Sequence, residues 1–220
     1  MQAAGELLAE GGVEALTTRS LAERTGIPVA TIYRYFANRD EIIAAYLDHD
    51  LEVIQESLRT ALLGIDTLTF RSAAEAVALA HLRHHQAHPE GVPVWFGGRL
   101  NPAVAGTVRA LDTRLALSWR AALKTAGMLT DTPDFNAELL VYLADRMFEF
   151  VFREERSAAE QEAIVLTFVD MIANHMEQFA TPTGVLGVPP ESFLTELAQA
   201  DHSLEAAAPE RATLRALESA

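Results

Sequence analysis

The sequence contains no cysteine, which excludes a disulfide framework, a thiolate metal site and a cysteine nucleophile. Lysine is almost as scarce: Lys124 is the single one, and no phosphate-binding Gly-x-x-x-x-Gly-Lys loop is built around it. Gly-x-Ser-x-Gly, His-Glu-x-x-His and Gly-x-Gly-x-x-Gly are also missing, so the chain is not expected to be an enzyme and no cofactor is expected. No stretch approaches the ~18 uncharged apolar residues of a membrane span; the longest candidate, residues 163–169, is far shorter. With no N-terminal secretion pattern either, a cytoplasmic protein without membrane contact is expected. Positive charge is in deficit, with 17 Lys and Arg against 31 Asp and Glu and a net charge of −14. That balance argues against nonspecific nucleic-acid binding over the whole surface. What is present in quantity is apolar: half of the 220 residues are hydrophobic, enough to bury a sizeable core in one or two domains.

Against this acidic background residues 17–39 stand out. They hold Arg19, Arg24, Arg34 and Arg39 against Glu23 alone, a net +3, which leaves −17 for the rest of the chain. A basic, hydroxyl-rich, aromatic-bearing island of this kind is an electrostatic footprint for nucleic acid. The local pattern reads as two short helices around a glycine turn. Thr18 is expected to cap the first helix, and Gly26 to stop it in a left-handed conformation. Pro28 suits the first position of a second helix over residues 28–35. Ile27, Ile32 and Phe36 are expected to be buried, with Val29, Ala30, Thr31, Tyr33, Arg34 and Tyr35 facing out. Asn38 then caps a third helix, whose first turn carries Asp40 and Glu41, as the helix dipole favours. Helix, glycine turn, helix is the arrangement that places a second helix in the DNA major groove. Spacing alone leaves a second reading open, a small helical bundle with a basic face.

The motifs narrow the choice. Glu10-Gly11-Gly12, Thr17-Thr18-Arg19-Ser20-Leu21-Ala22, Thr25-Gly26-Ile27, Thr31-Ile32-Tyr33-Arg34-Tyr35-Phe36 and Asn38-Arg39-Asp40-Glu41 follow in order. Residues 3–47 thereby resemble the tetracycline-repressor-like N-terminal DNA-binding domain of TetR-family transcriptional regulators, over about a fifth of the chain. The resemblance implies phosphate contacts from Thr17, Thr18, Tyr33 and Arg39, and base reading by Arg19. It sets Val29, Ala30 and Thr31 against base edges, with Arg34 and Tyr35 meeting base or backbone. Hydroxyls and arginines fix register on phosphates, while only base-edge contacts specify sequence. Two features depart from the family pattern. Pro28, Val29 and Ala30 are less polar than is usual there, and Met1 falls inside the first helix, where the family has a further turn and a short arm.

Downstream, apolar spacing by threes and fours predicts helices at 40–63, 68–88, 103–126, 134–155 and 157–179. An irregular glycine- and proline-rich stretch separates the second from the third. For the first of these the inner face reads Ile42, Ile43, Tyr46, Leu47, Leu51, Ile54 and Leu58. The last two read on pattern alone as an intrachain core hairpin. The resemblance implies that they pair with a second copy, through Leu139, Leu143, Phe150, Phe168, Ile172 and Met176. It also implies a small-molecule effector held in an apolar cavity. Candidates for its lining are His81, His85, Trp95, Phe96, Trp119, Tyr142 and Phe148, with Arg99, Asn101 and Arg120 to orient a polar group. His81/His85 and His84/His88 are each i, i+4 pairs able to chelate a metal. No carboxylate stands in register on that helix, so no metal site is assigned.

The expectation is therefore an all-α protein. A three-helix helix-turn-helix domain over 1–46 precedes a helical ligand-binding and dimerisation domain over 47–200 and a tail at 201–220. Its expected role is a homodimeric repressor of a palindromic double-stranded DNA operator, released by a small molecule. The alternatives are an activator on the same scaffold, or a small-molecule-binding helical protein without operator binding.

Overall fold

The structure, a computed structural model, describes residues 1–96, 102–125, 135–179 and 190–206. Among them are ten α-helices and no strand: α1 (Gln2–Ala15), α2 (Thr18–Thr25), α3 (Val29–Tyr35), α4 (Arg39–Leu63), α5 (Phe70–Ala87), α6 (Val92–Phe96), α7 (Pro102–Thr125), α8 (Phe135–Phe152), α9 (Ala158–Met176) and α10 (Pro190–Ala206). The all-α reading and the helix order hold. Arg99 and Asn101 lie outside the described residues, as do residues 207–220 of the expected tail. No helix of the described residues is long and apolar enough to cross a membrane.

The ends of these helices follow from side-chain chemistry. α1 breaks at Gly11 and Gly12, the latter at φ +64°. The first-turn N–H groups of α2 are capped by Thr17, one residue earlier than expected. Thr17 Oγ1 accepts from the Ser20 N–H at 3.0 Å, and Ser20 Oγ accepts from the Thr17 N–H at 2.9 Å. That reciprocal pair needs a hydroxyl three residues on, which Thr17 has in Ser20 and Thr18 lacks in Leu21. Thr18 instead takes the first helical position and is buried. Gly26 ends α2 at φ +70°, a left-handed conformation that any other residue enters only with strain. Pro28 stands one place ahead of α3, as its cap residue. The same hydroxyl device opens α5, where Thr69 and Ser72 exchange backbone-to-hydroxyl bonds. At α9 it is Ser157 with Glu160.

The chain forms two compact units that alternate along the sequence. The first is Met1–Ser57 with Arg83–Arg109, the second Leu58–Leu82 with Ala110–Ala220. In the first, α2 packs on α1 and α3, and α6 returns to α1. Leu16, Ile42, Ile43 and Leu47 are fully buried there, each such side chain contributing about 1.5–3 kcal/mol by leaving water. Ile32 is buried as expected, but Ile27 is 41% exposed, because the turn after Gly26 carries it clear of the packed side of α3. On α4 the inward stripe also differs from expectation: Asp50, not Leu51, is the buried residue.

In the second unit α8 packs along α9, and Leu62, Phe70, Leu123, Ala173, Met176 and Phe193 share one core. Trp119 lies against Phe193 with ring centroids 5.6 Å apart. Arg71 ties the start of α5 to α9, reaching Asp170, Asn174 at 2.8 Å and Glu177 at 3.1 Å. Arg156 satisfies the end of α8 by donating to the carbonyls of Phe150 and Val151.

Candidate nucleic-acid interface

The short α3 presents one buried residue, Ile32, and a broad outward face. Val29, Tyr33 and Tyr35 on that face are 44%, 55% and 40% exposed, and Ala30 and Arg34 are exposed beside them. Apolar and aromatic side chains left in water at this density are uncommon on a helix without a partner. The Arg34 guanidinium lies 5.9 Å over the Tyr35 ring, which extends a cation along the face. Thr31 is half-buried at its edge.

The three arginines of the island in ion pairs, Arg19, Arg24 and Arg39, separate into two kinds. Arg24 bridges from α2 to α1, where it meets Glu6 at 3.1 Å and Glu10. The Glu10 and Glu6 hydrogen bonds, in that order, push its pKa further up. It is a clamp between helices. Arg19 and Arg39 hold only exposed carboxylates, Glu23 at 3.1 Å and Glu14 at 2.9 Å. Exposed pairs of this sort are worth about 0–1 kcal/mol, so a phosphate can displace either glutamate at small cost. Asn38 caps α4 as expected, its Oδ1 accepting from the Glu41 N–H at 3.1 Å. Glu41 in turn accepts from the Ala37 N–H at 2.7 Å, which fixes the link that carries Arg39.

Within the same unit lies a buried polar cluster that the sequence does not assemble. Asp50 of α4, His84 of α5 and Trp95 of α6 are hydrogen-bonded: His84 Nε2 to Asp50 Oδ1 at 2.8 Å, and Trp95 Nε1 donating to Asp50 Oδ2 at 2.5 Å. His85 completes the group, its ring 5.2 Å from that of His84 and edge-on to Phe96 at 5.0 Å. Burial acts to raise the Asp50 pKa, but the His84 and Trp95 hydrogen bonds, with the charges of His84 and His85, outweigh it and hold the carboxyl below the usual range. Burial, with the Asp50 and Glu90 charges, drives the neighbouring Tyr46 phenol well above its ordinary value. The signal for Asp50 was present: a lone carboxylate at the inward position between Leu47 and Ile54.

The residues proposed from sequence to line an effector cavity fall into separate groups. His85, Trp95 and Phe96 join the cluster just described. His81 belongs to the second unit, where its Nδ1 pairs with the Val77 carbonyl at 3.1 Å and its ring lies 5.8 Å from Phe148. Trp119 is in that unit's core, and Tyr142 is 60% exposed. His88 pairs with Glu90 at 3.3 Å, and its ring lies 4.9 Å from that of His84. Of the residues expected at a dimer face, Leu139, Leu143 and Phe150 are exposed. Phe150 is overlain by Arg156 and Arg153 at 4.6 and 5.4 Å. Phe168 and Ile172 are half-buried, and Met176 is fully buried in the chain's own core. α9 turns Val165, Val169, Ala173 and Met176 inward along one stripe, which is why Met176 is a core residue.

An exposed face on a short helix, set by a glycine turn behind a capped helix, defines an all-helical helix-turn-helix arrangement. Residues 1–46 match the family model described as bacterial regulatory proteins, tetR family, and the chain has the fold of TetR-family transcription regulators. Solved structures agree on the fold. A TetR variant from Acinetobacter baumannii AYE, in complex with minocycline, is 19% identical with a TM-score of 0.56, over 82% of this chain and 95% of that one. RolR, solved without ligand, is 16% identical with a TM-score of 0.55 over 90% and 94%. A TetR/AcrR-family regulator from Thermobifida fusca YX-ER1 is 17% identical with a TM-score of 0.51 over 79% and 93%. No curated protein matches the sequence.

Proposed function

We propose that this chain is a dimeric, operator-binding transcriptional repressor released by a small molecule. The observation that carries the reading is the solvent-facing row Val29, Tyr33, Arg34 and Tyr35 on α3, flanked by Arg19 and Arg39 in exchangeable ion pairs. Arg19 donates a bidentate pair to guanine, and the methyls of Val29, Ala30 and Thr31 pack on thymine. Thr17, Tyr33 and Arg39 position the protein on phosphates through their side chains, and Thr18, whose side chain is buried, through its backbone N–H. Residues 1–46 form the DNA-binding domain, 47–200 the ligand-binding and dimerisation domain, and 201–220 a tail. The exposed apolar residues Leu139, Leu143 and Phe150 of α8 support a face for a second copy. A two-fold dimer presents two recognition helices to half-sites about 34–36 Å apart.

In this reading an effector enters the helical domain; of the candidate lining residues, His81, Trp119, Tyr142 and Phe148 lie in one unit and His85, Trp95 and Phe96 in the other. The effector favours one placement of α4, which sets the separation of the recognition helices. Operator and effector then select different states of one dimer, and each weakens the other by the same factor. The minocycline held by the A. baumannii protein supports a small-molecule effector for this scaffold; the effector of this chain is a separate question of chemistry.

The test is selection of genomic fragments by purified protein at low and moderate salt, with the bound DNA sequenced. A palindromic motif enriched at both salts supports the reading. Binding without a motif, lost at moderate salt, overturns it in favour of a small-molecule-binding helical protein without operator recognition.

A further inference from the structure

We propose that Asp50, His84 and His85 form a binding site for one divalent transition-metal ion, with zinc(II) as the fitting probe. The three side chains are 7%, 6% and 2% exposed, and one ligand atom from each lies within 4.8 Å of the other two. Successive residues on a helix diverge by about 100°. His84 and His85 therefore share an ion only if the third ligand faces the gap between them from another element, and Asp50 of α4 does so. Two neutral imidazoles and one carboxylate are a borderline donor set that suits zinc and its neighbours, whereas magnesium and calcium require mainly oxygen.

The distances fit a site that closes on its ion. Bonds of about 2.0–2.1 Å in a tetrahedral site place ligand atoms about 3.3 Å apart. Side-chain rotation of at most about 1.5 Å brings the observed atoms to that spacing. Trp95 Nε1, donating to Asp50 Oδ2, supplies the outer hydrogen bond that orients a ligating carboxylate. Three protein ligands leave a fourth position for water, as in open zinc sites. Loading replaces the hydrogen bond between His84 and Asp50 with the ion, and a neutral His84 that ligates through Nε2 carries its proton on Nδ1.

The ion ties α4 to the end of α5 inside the unit that carries α2 and α3. On the operator-binding reading given above, metal occupancy biases operator affinity, and operator binding biases metal affinity by the same factor. The site itself does not depend on that reading.

The experiment uses the full chain stripped with a chelator. Zinc(II) is titrated by calorimetry and cobalt(II) by visible absorption, without DNA. Expected are one ion per chain, the intense d–d bands of four-coordinate cobalt, and a loss of roughly tenfold or more in affinity for Asp50→Asn and for His84→Gln. His49→Gln keeps wild-type affinity. No saturable binding, or binding that His49→Gln abolishes, overturns the site. X-ray absorption on the zinc-loaded wild type is independent of any variant's folding: two imidazoles and light-atom oxygen support the site, and a single imidazole or an all-oxygen shell overturns it. Operator affinity with and without zinc follows. An unchanged affinity overturns the coupling alone, and absence of any operator binding by a protein that loads zinc overturns the regulator reading alone.

Discussion

Truncation of Asp50 to alanine, in chelator-treated protein, measures what the buried polar cluster contributes to stability. The carboxylate accepts from His84 at 2.8 Å and from Trp95 at 2.5 Å. Alanine leaves both donors buried without their acceptor, at about 1–3 kcal/mol each. The total expected is about 3–5 kcal/mol, the range for breaking a buried charged pair by removing one partner. Asp50→Asn keeps the volume and one acceptor oxygen for Trp95, while His84 must present its other tautomer; about 1–2 kcal/mol is expected. Urea unfolding followed by circular dichroism, at fixed protein concentration, reads both. With a slope of about 2–3 kcal/mol/M, the alanine midpoint falls by roughly 1–2 M. The pH dependence has a fixed sign. Because folding depresses the Asp50 pKa below the ordinary aspartate value, the carboxylate's stabilisation is complete above about pH 5 and is lost as pH falls through the folded value. The deficit of the alanine variant therefore narrows as pH falls through the depressed folded value. An alanine variant within about 0.5 kcal/mol of wild type, the usual range of an inconsequential surface change, would refute the reasoning. So would a deficit that grows as pH falls.

Four further outcomes are expected. Arg19→Ala costs about 1–3 kcal/mol of operator binding and relaxes preference at one base pair, whereas Tyr33→Ala weakens binding to all sequences alike; fluorescence anisotropy on the selected operator and its single-base variants separates them. Glu14→Gln, which frees Arg39 from its 2.9 Å partner, tightens operator binding about twofold, as an exposed pair of about 0.5 kcal/mol implies, and leaves a measured affinity unchanged only if Arg39 meets no phosphate. Gly26→Ala forces a side chain into φ +70° and lowers stability by about 1 kcal/mol, read as a thermal midpoint. Leu143→Glu places charge on the exposed face of α8 and converts the dimer to monomer in sedimentation velocity, with an unchanged circular dichroism spectrum.

Most of the architecture was legible in the sequence because the relevant physics is local. Apolar residues at intervals of three and four set the helices, and Gly26, Asn38 and Ser157 mark ends whose chemistry acts within one turn. The cap at Thr17 was misread by one residue because two adjacent threonines compete, and the decision rests with Ser20. Within the interface, the outward residues of α3 were readable by subtraction from Ile32. The ion-pair partners Glu14 and Glu6 were not, since each reaches an arginine from another helix. Asp50 shows the same limit. Helical periodicity marks it as an inward carboxylate, but which groups satisfy it depends on where α5 and α6 return, a tertiary fact absent from any local window. The histidines on α5 were noticed for their spacing on one helix, whereas their partner stands on another.

The alternation of the two units has a consequence for how the protein is made. Met1–Ser57, with α2 and α3, leaves the ribosome before Arg83–Arg109, the segment that finishes its unit. At about 5–20 residues per second, the missing segment follows some 3–10 s later. Until then the inner side of α4, with Tyr46 and Asp50, has no α6 to cover it. An N-terminal piece cut at Ser57 is therefore half of a folding unit, and a reading head transplanted into another protein must carry its late-arriving lining with it.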